Sequence, residues 1–251
     1  MTRRRRFWAT PEPRSSLTEL VRIVTYNVRG FRNGVDLVLG VVRALRPDVL
    51  LLQETGSRRS LRRFAVGASM RAASDPWSPG RRRVKNAVLL AQPWRPESIE
   101  LMRFAGSRRW YPRGALVVRA TSDGGPSLWL VSTHLGLDGS ERGRHAEALS
   151  RLVAGFGQAP VVVGGDLNAT PEMRSPTRIS AELSDAWAAA GRGAGSTFPA
   201  SRPEGRIDYV FVGGPLQIGY VSEGGEGSSG ASDHLPVCVD LTLVRDRTTT
   251  T

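Results

Sequence analysis

Two short apolar runs restrict what this chain can fold into more than any other feature of its sequence. Residues 49–52 read Val-Leu-Leu-Leu, and residues 160–163 read Pro-Val-Val-Val. A continuous apolar run of this length, without polar alternation, is typical of a strand that is buried on both faces. Because such strands need a layer of structure on each side, the chain is predicted to be an α/β protein.

The rest of the chain shows a mixture of strand and helix patterns. Further strands are predicted at residues 21–26, 87–91, 98–104, 115–119, 128–133, 207–212, 216–221 and 236–243. Helices are predicted at 35–45, at 140–156 with Ser140 as its cap, around 184–190, and at 57–66. The residues 122–125 predict a hairpin turn, and 224–232 a loop. We expect a basic N-terminal tail at 1–19, one domain at 20–245 and a trailing end at 246–251.

The amino-acid composition excludes some classes of protein but does not identify a function. The chain has 251 residues, a hydrophobic fraction of 40% and a net charge of +12. Such a charge indicates affinity for polyanions, although an arginine-rich composition alone could produce it. No apolar run reaches the roughly 18 residues of a membrane span, and no signal core follows the N-terminus. We therefore expect a cytoplasmic protein, and a monomer. Cys238 is the only cysteine, which excludes an intramolecular disulfide.

Polar side chains stand where several predicted strands end. Asn27 follows the strand at 21–26, Glu54 follows the run at 49–52, and Asp166 and Asn168 follow the run at 160–163 through two glycines. Ligands of α/β sheets collect at such strand ends, and Mg²⁺ prefers hard oxygen donors. These residues predict a metal or phosphate site, although Asp166 could instead close an Asx-turn.

Two histidines occupy similar positions. His134 ends the predicted strand at 128–133, and His234 lies on the late loop directly after Asp233. A histidine titrates near neutral pH and can act as a general base or as an electrostatic partner. Side chains adjacent in sequence usually diverge, so Asp208, from a different strand, is the carboxylate predicted to orient His234.

Six short motifs occur in one order along the chain: Thr25-Tyr26-Asn27-Val28, Leu52-Gln53-Glu54, Ser132-Thr133-His134-Leu135, Gly165-Asp166-Leu167-Asn168, Arg206-Ile207-Asp208-Tyr209 and Ser232-Asp233-His234. This ordered set covers about residues 20–243 and resembles the endonuclease/exonuclease/phosphatase superfamily. The resemblance implies a four-layer α/β sandwich, in which two mixed β-sheets pack face to face and are flanked by helices. It also implies hydrolysis of phosphoesters that depends on a divalent metal, Mg²⁺ or Mn²⁺.

The resemblance also implies roles for individual residues. The metal set would be Glu54, Asn27 and Asp233; the catalytic set Asp166, Asn168, His234, Asp208 and His134; and the substrate-binding set Asn86, Asn168 and Arg113. His134 stands where the deoxyribonuclease and sphingomyelinase branches carry a histidine. That residue, and the lack of a lysine after Gln53-Glu54-Thr55, disfavour the abasic-site endonuclease branch.

Three functions remain open at this point. The leading hypothesis is a nuclease, because the net charge is +12 and arginines cluster at 58–59, 62–63 and 81–83. A phosphoesterase that acts on a lipid headgroup or a small phosphorylated metabolite is the second. An inactive nucleic-acid-binding protein on the same fold is the third, since a fold does not determine a function.

Overall fold

The computed structural model describes residues 18–244 except 77, 80, 81, 108, 123, 124 and 126. Residues 1–17 of the predicted tail at 1–19 and the whole predicted end at 246–251 lie outside the described residues, whereas Thr18 and Glu19 of that tail belong to the first strand. The strands are β1 (Thr18–Asn27), β2 (Val49–Gln53), β3 (Arg71–Ser74), β4 (Ala87–Leu90), β5 (Arg95–Arg103), β6 (Gly114–Thr121), β7 (Ser127–His134), β8 (Val161–Asp166), β9 (Ser184–Asp185), β10 (Asp208–Gly213), β11 (Leu216–Glu223) and β12 (Val237–Val244). The helices are α1 (Val35–Leu45), α2 (Arg58–Gly67), α3 (Gly139–Ala154), α4 (Arg174–Ser180), α5 (Ala186–Ala190) and α6 (Ser228–Ala231).

The strands form two six-stranded sheets. The first has the order β11-β12-β1-β2-β4-β3, and the second has the order β5-β6-β7-β8-β10-β9. Each sheet contains one parallel pair, β1 with β2 and β7 with β8, among antiparallel neighbours. Both sheets are therefore mixed, as the predicted fold class requires.

The two faces of each sheet serve different cores. In β1, Ile23 faces the core between the sheets, whereas its neighbour Val24 faces the core under α1 and α2. The outer face of the second sheet packs on α3 and α4 in the same way. Side chains that alternate between two apolar layers explain why the run at 49–52 is apolar throughout. The resulting order is helices, sheet, sheet, helices, which confirms the predicted four-layer sandwich. Within the described residues, no helix is both long enough and apolar enough to cross a bilayer.

The cap of α3 differs from the prediction. The helix begins at Gly139, and Asp138 is its cap instead of Ser140. Its carboxylate Oδ1 accepts hydrogen bonds from the backbone N–H groups of Ser140 (2.9 Å) and Glu141 (3.0 Å). Aspartate and serine are both favourable caps, so only the position of the first helical turn could decide between them. The helix also ends at Ala154, two residues before the predicted end.

Several short elements were not predicted. β3 is a four-residue edge strand, and α4 carries Pro176 in its first turn, where proline is tolerated. The helix predicted at 184–190 is divided into β9 and α5, and the loop predicted at 224–232 contains α6. The hairpin between β6 and β7 is present, with its turn residues 123 and 124 outside the described part.

Candidate active site

Three predicted site residues meet because of strand register. His134 is the last residue of β7, Asp166 is the last residue of β8, and these two are partners in the parallel ladder. Asp208 is the first residue of β10, which runs antiparallel to β8, so it also pairs with Asp166. An antiparallel strand starts where its neighbour ends, and this places all three side chains at one edge of the sheet.

Asp166 lies at the centre of this group and is buried. Its Oδ2 lies 2.9 Å from Asn27 Nδ2, 3.1 Å from His134 Nε2 and 3.7 Å from His234 Nε2. Burial raises the pKa of Asp166, but attraction to His134 and His234 and the hydrogen bonds from His134 and Asn27 outweigh it. The pKa of Asp166 therefore lies well below its ordinary value, and the group is a carboxylate at neutral pH.

His234 forms a buried pair with Asp208. His234 Nδ1 lies 2.9 Å from Asp208 Oδ2, which is the pairing predicted from the sequence. Burial lowers the pKa of His234, but Asp208 and then Asp166 raise it to about 10. Burial raises the pKa of Asp208, against the opposing effect of His234. Two carboxylates face one imidazole, so we assign the ring as protonated. The ring of Phe198 covers it at 4.8 Å between centroids.

Arg113 and Asn168 hold His134 from two sides. Arg113 Nη1 lies 2.6 Å from His134 Nδ1. A guanidinium only donates, so Nδ1 accepts from it, and the ring proton at Nε2 faces Asp166. Asn168 Nδ2 donates to the carbonyl oxygen of Leu135 at 3.1 Å; it also lies 3.1 Å from His134 Nε2, which does not accept from it while that nitrogen carries the proton.

The Asx-turn considered for Asp166 is also present. The backbone N–H of Asn168 donates to Asp166 Oδ1 at 2.9 Å, and Asn168 has a φ of 51°. Asparagine tolerates this left-handed conformation better than most residues. The turn and the side-chain network therefore coexist, and the turn is what directs the Asn168 amide towards His134.

The acidic and histidine side chains that lie close enough together to share a metal ion are not the predicted metal ligands. Among the described residues, Asp166, Asp208 and His234 form a group whose ligand atoms all lie within 4.8 Å of one another, and Glu54 and Asp233 are outside it. The Asp233 carboxylate instead forms an ion pair with Arg29, at 3.0 Å from Nε.

Asn27 is divided between the two sides of the site. Its Nδ2 donates to Asp166, and its Oδ1 accepts from the backbone N–H of Arg29 at 3.0 Å. The Asn27 backbone carbonyl accepts from the Ser232 hydroxyl at 2.7 Å, which ties the end of β1 to the segment that carries His234.

Glu54 has the properties expected of a ligand for a hard cation. It is half-buried, and it makes no hydrogen bond or ion pair with its side chain among the residues that the structure describes. Its φ of 52° is unusual for a glutamate, and its carbonyl accepts from the N–H of Gly30 at 2.7 Å. Strained backbone of this kind persists where surrounding structure imposes it, often at functional positions. The free carboxylate oxygens of Glu54 fit Mg²⁺ or Mn²⁺ better than the group of Asp166, Asp208 and His234 does, because in that group His234 Nδ1 already contacts Asp208.

Glu54 and His134 line one cleft of about 620 Å³. Both predicted substrate-binding residues that flank the site, Asn86 and Arg113, line it as well. The two amide hydrogens of Asn86 already go to the carbonyls of Gly114 (2.9 Å) and Ser132 (3.0 Å), which leaves its oxygen for a ligand.

The cleft is strongly cationic. Among the described residues, Glu54 is the one carboxylate in its lining. Six cationic side chains also line it: Arg29, Arg32, Arg58, Arg83, Lys85 and Arg113. Only Arg113 among these was a predicted site residue. Arg58 and Arg83 belong to the arginine clusters at 58–59 and 81–83 that favoured a nuclease, but no sequence pattern indicated that they face this cleft.

His145, on α3, was not predicted to matter and supports the His134 segment from behind. It is buried and lies against the ring of Phe104 at 4.8 Å. Its Nδ1 accepts from the backbone N–H of Gly136 at 3.2 Å, and its Nε2 lies 3.2 Å from the carbonyl oxygen of Ala105. Burial lowers the pKa of His145, against the attraction of Glu141. Protonation of Nδ1 would break the bond to Gly136.

We expect His145 to destabilise the protein in acid. The unfolded chain takes up this proton near pH 6.5, whereas the folded state resists it, so stability falls as the pH drops below about 6.5. The expected loss relative to His145→Gln approaches about 1.4 kcal/mol per pH unit. Urea unfolding between neutral and mildly acidic pH measures it. Parallel pH profiles for the two proteins would contradict the assignment.

Comparisons with known proteins agree with this architecture. Residues 24–234 match the sequence profile of the Endonuclease/Exonuclease/phosphatase family. The crystal structure of an endonuclease/exonuclease/phosphatase from Bacteroides vulgatus is similar, with a TM-score of 0.78 at 21% identity over 90% of this chain and 99% of the other. Truncated TDP2 from Caenorhabditis elegans gives a TM-score of 0.70 at 22% identity, over 88% and 97% of the two chains.

A third similar structure is the endonuclease/exonuclease/phosphatase from Beutenbergia cavernae, with a TM-score of 0.70 at 22% identity over 90% and 72% of the two chains. No curated protein sequence matches the chain significantly. Structural likeness at these identities establishes the fold, and the profile match establishes the sequence relationship.

Proposed function

This chain belongs to the endonuclease/exonuclease/phosphatase family, and on that premise we propose that it is a divalent-metal-dependent phosphodiesterase that cleaves nucleic acid. The observation that carries the proposal is the buried Asp166 carboxylate, which two histidines and an amide hold at the end of β8. This carboxylate contacts Asn27 from the other sheet and lies beside two separately oriented imidazoles.

The residues of the site suit in-line attack of water on phosphorus. Asp166 orients the water by accepting its hydrogen bond; its lowered pKa makes it a weak base, so positioning is its larger contribution. His234, protonated and held by Asp208, stabilises negative charge on the phosphoryl oxygens. Asn168 supplies an amide donor beside it, and His134, held by Arg113, moves or holds a proton at Nε2.

The metal site would be centred on Glu54, supported by Asn27. A bound Mg²⁺ or Mn²⁺ supplies charge neutralisation at the phosphoryl oxygens and the leaving group. Asp233 would serve it only by releasing Arg29, so its predicted role as a second acidic ligand requires a change in that ion pair.

The charge of the cleft favours a nucleic acid over the other substrates. A cleft with six cationic side chains exceeds what the single phosphate of a headgroup diester requires. Phosphate contacts of this kind position a strand without reading its sequence, so weak sequence discrimination is expected. A site of this completeness also argues against an inactive binding protein.

The first test is hydrolysis of bis(p-nitrophenyl) phosphate and of plasmid DNA with Mg²⁺, with Mn²⁺ and with a chelator. We expect both substrates to be cleaved with metal and neither after chelation. Glu54→Gln should raise the metal concentration needed for half-maximal rate by about 10-fold or more, as loss of one charged ligand does.

The pattern of cleavage separates the alternatives. Cleavage of the small diester alone would contradict the nucleic-acid assignment and favour a lipid headgroup or a metabolite. Cleavage that continues in the chelator would contradict metal dependence, and no cleavage of either substrate together with DNA binding would favour the inactive protein.

A further inference from the structure

Arg83 is the largest fully buried side chain of the described residues and lies in the wall of the cleft. Its exposed fraction is 1%. Nη2 donates to the carbonyl of Gly56 at 2.6 Å and to the Thr55 hydroxyl at 3.3 Å. Nη1 is buried and has no hydrogen-bond partner among the described residues. A buried charged donor without an acceptor is costly, so this half of the fork calls for an external acceptor.

Arg83 also lacks a paired carboxylate within the described part of the chain. The carboxylate that acts on it, Asp75, receives hydrogen bonds from Arg103 Nη2 (3.3 Å) and from the backbone N–H of Val84 (3.1 Å). Burial lowers the pKa of Arg83, and repulsion from Arg58 lowers it further, with Asp75 opposing both. Positive charge is therefore concentrated here, and Asp75 compensates only part of it.

The surroundings of Arg83 match the parts of a nucleotide. Arg58 and Lys85 line the same cleft, and the N–H donors of Arg83 Nη1 are of the charge-assisted kind that binds phosphate oxygens strongly. Tyr111, also in the lining, is 63% exposed, and Lys85 Nζ lies 5.5 Å from the centre of its ring. An exposed aromatic ring beside a cationic groove is the arrangement on which bases of single strands stack.

We propose that Arg83, with Arg58 and Lys85, forms a second phosphate subsite, which binds a phosphate adjacent to the scissile one on a nucleic-acid strand. This inference rests on the proposed function, because it assumes that the scissile phosphate binds beside Glu54, Asp166 and His234. It predicts a preference for substrates with two linked phosphates over those with one.

The test is binding, measured by fluorescence anisotropy of a labelled oligothymidylate in chelator, so that cleavage does not interfere. Arg83→Met should weaken binding about 10- to 100-fold, the effect of one charge-assisted contact. The slope of log Kd against log salt should decrease by about 0.7, the contribution of one phosphate contact to a single strand. A merely structural role would not change that slope. Arg71→Met is the control. Arg71 is exposed and pairs with Leu90 in the first sheet, so this substitution should change neither the affinity nor the salt slope.

A dinucleotide pair identifies the phosphate. With competition by TpT and by pTpT, the wild type should prefer pTpT by about 10-fold, and Arg83→Met should lose that preference. Equal preference in both proteins, or an unchanged salt slope, would overturn the subsite. If inorganic pyrophosphate competes as strongly as pTpT, the ligand is a small polyphosphate, and the proposal of a nucleic-acid strand is wrong.

Folding of the variant is controlled separately. If Arg83→Met does not fold, Arg83→Lys replaces it, because lysine keeps the positive charge but lacks the guanidinium group. This variant should bind the oligonucleotide less tightly and retain the salt slope. Unchanged affinity would overturn the subsite. Binding that depends on Arg83 without any cleavage by the wild type would contradict the proposed function and leave the subsite standing. Cleavage by the wild type, with binding that does not depend on Arg83, would support the proposed function and contradict the subsite.

Discussion

Replacement of Asp166 by asparagine should lower kcat by about 10³-fold with metal present, a loss within the range of general acid–base and positioning residues. The amide has nearly the same shape, but it places a donor where Asn27, His134 and His234 all approach a negative oxygen. It also removes the charge that attracts both histidines. Single-turnover hydrolysis of bis(p-nitrophenyl) phosphate at saturating Mg²⁺ measures the chemical step without product release.

The matched control for this variant is Asp36→Asn. Asp36 lies on α1 and is exposed, and its one ion pair among the described residues is with the exposed Arg63 at 2.7 Å. The same change there should therefore leave kcat unaltered. A rate for Asp166→Asn within a few-fold of wild type, with normal metal dependence, would remove Asp166 from the mechanism.

The second large effect is expected at His234. His234→Gln should lower kcat by about 10²-fold or more, because it removes the protonated ring that the proposed mechanism uses to stabilise charge on the phosphate. Glutamine keeps a donor for Asp208 Oδ2, whereas alanine would leave that buried carboxylate unpaired at a cost of about 3–5 kcal/mol. The glutamine variant therefore separates loss of chemistry from loss of folding, which circular dichroism and thermal unfolding verify.

A double variant tests how Asp208 acts. If Asp208 works only by orienting and charging His234, then Asp208→Asn should lose activity in the wild-type background and lose almost nothing more in His234→Gln. Additive losses would show that Asp208 has a separate contact with substrate or metal. The comparison also tests the metal-binding capacity of the Asp166, Asp208 and His234 group.

Local patterns in the sequence predicted much of the fold. The bounds of α1 agree with the prediction at both ends, because periodic apolar residues run directly up to the arginine and proline that end the helix. The short edge strand β3 and the helix α4 were missed, since four residues with mixed exposure show no period, and a proline in the first turn resembles a break. The cap of α3 was misplaced by two residues for a similar reason.

For the candidate site, too, the sequence predicted some features and missed others. The strand-end positions of Asn27, His134 and Asp166 were apparent in the sequence because each follows a recognisable apolar run. Their distances from one another were not, since Asn27 and Asp166 are 139 residues apart and meet across two different sheets. Phe198, which covers His234, lies in a segment without a readable pattern.

The sequence alone determined which chemical groups stand at the strand ends and in what order, because strand and helix periodicity are local properties of the chain. Only the tertiary structure decided which of those groups touch. It brought His134 and Asn27 into contact with Asp166, paired Asp233 with Arg29, and left Arg83 Nη1 buried without a hydrogen-bond partner among the described residues. The physical reason is that sheet order, register and the packing of one sheet on the other are set by contacts between distant residues, and no local pattern encodes them.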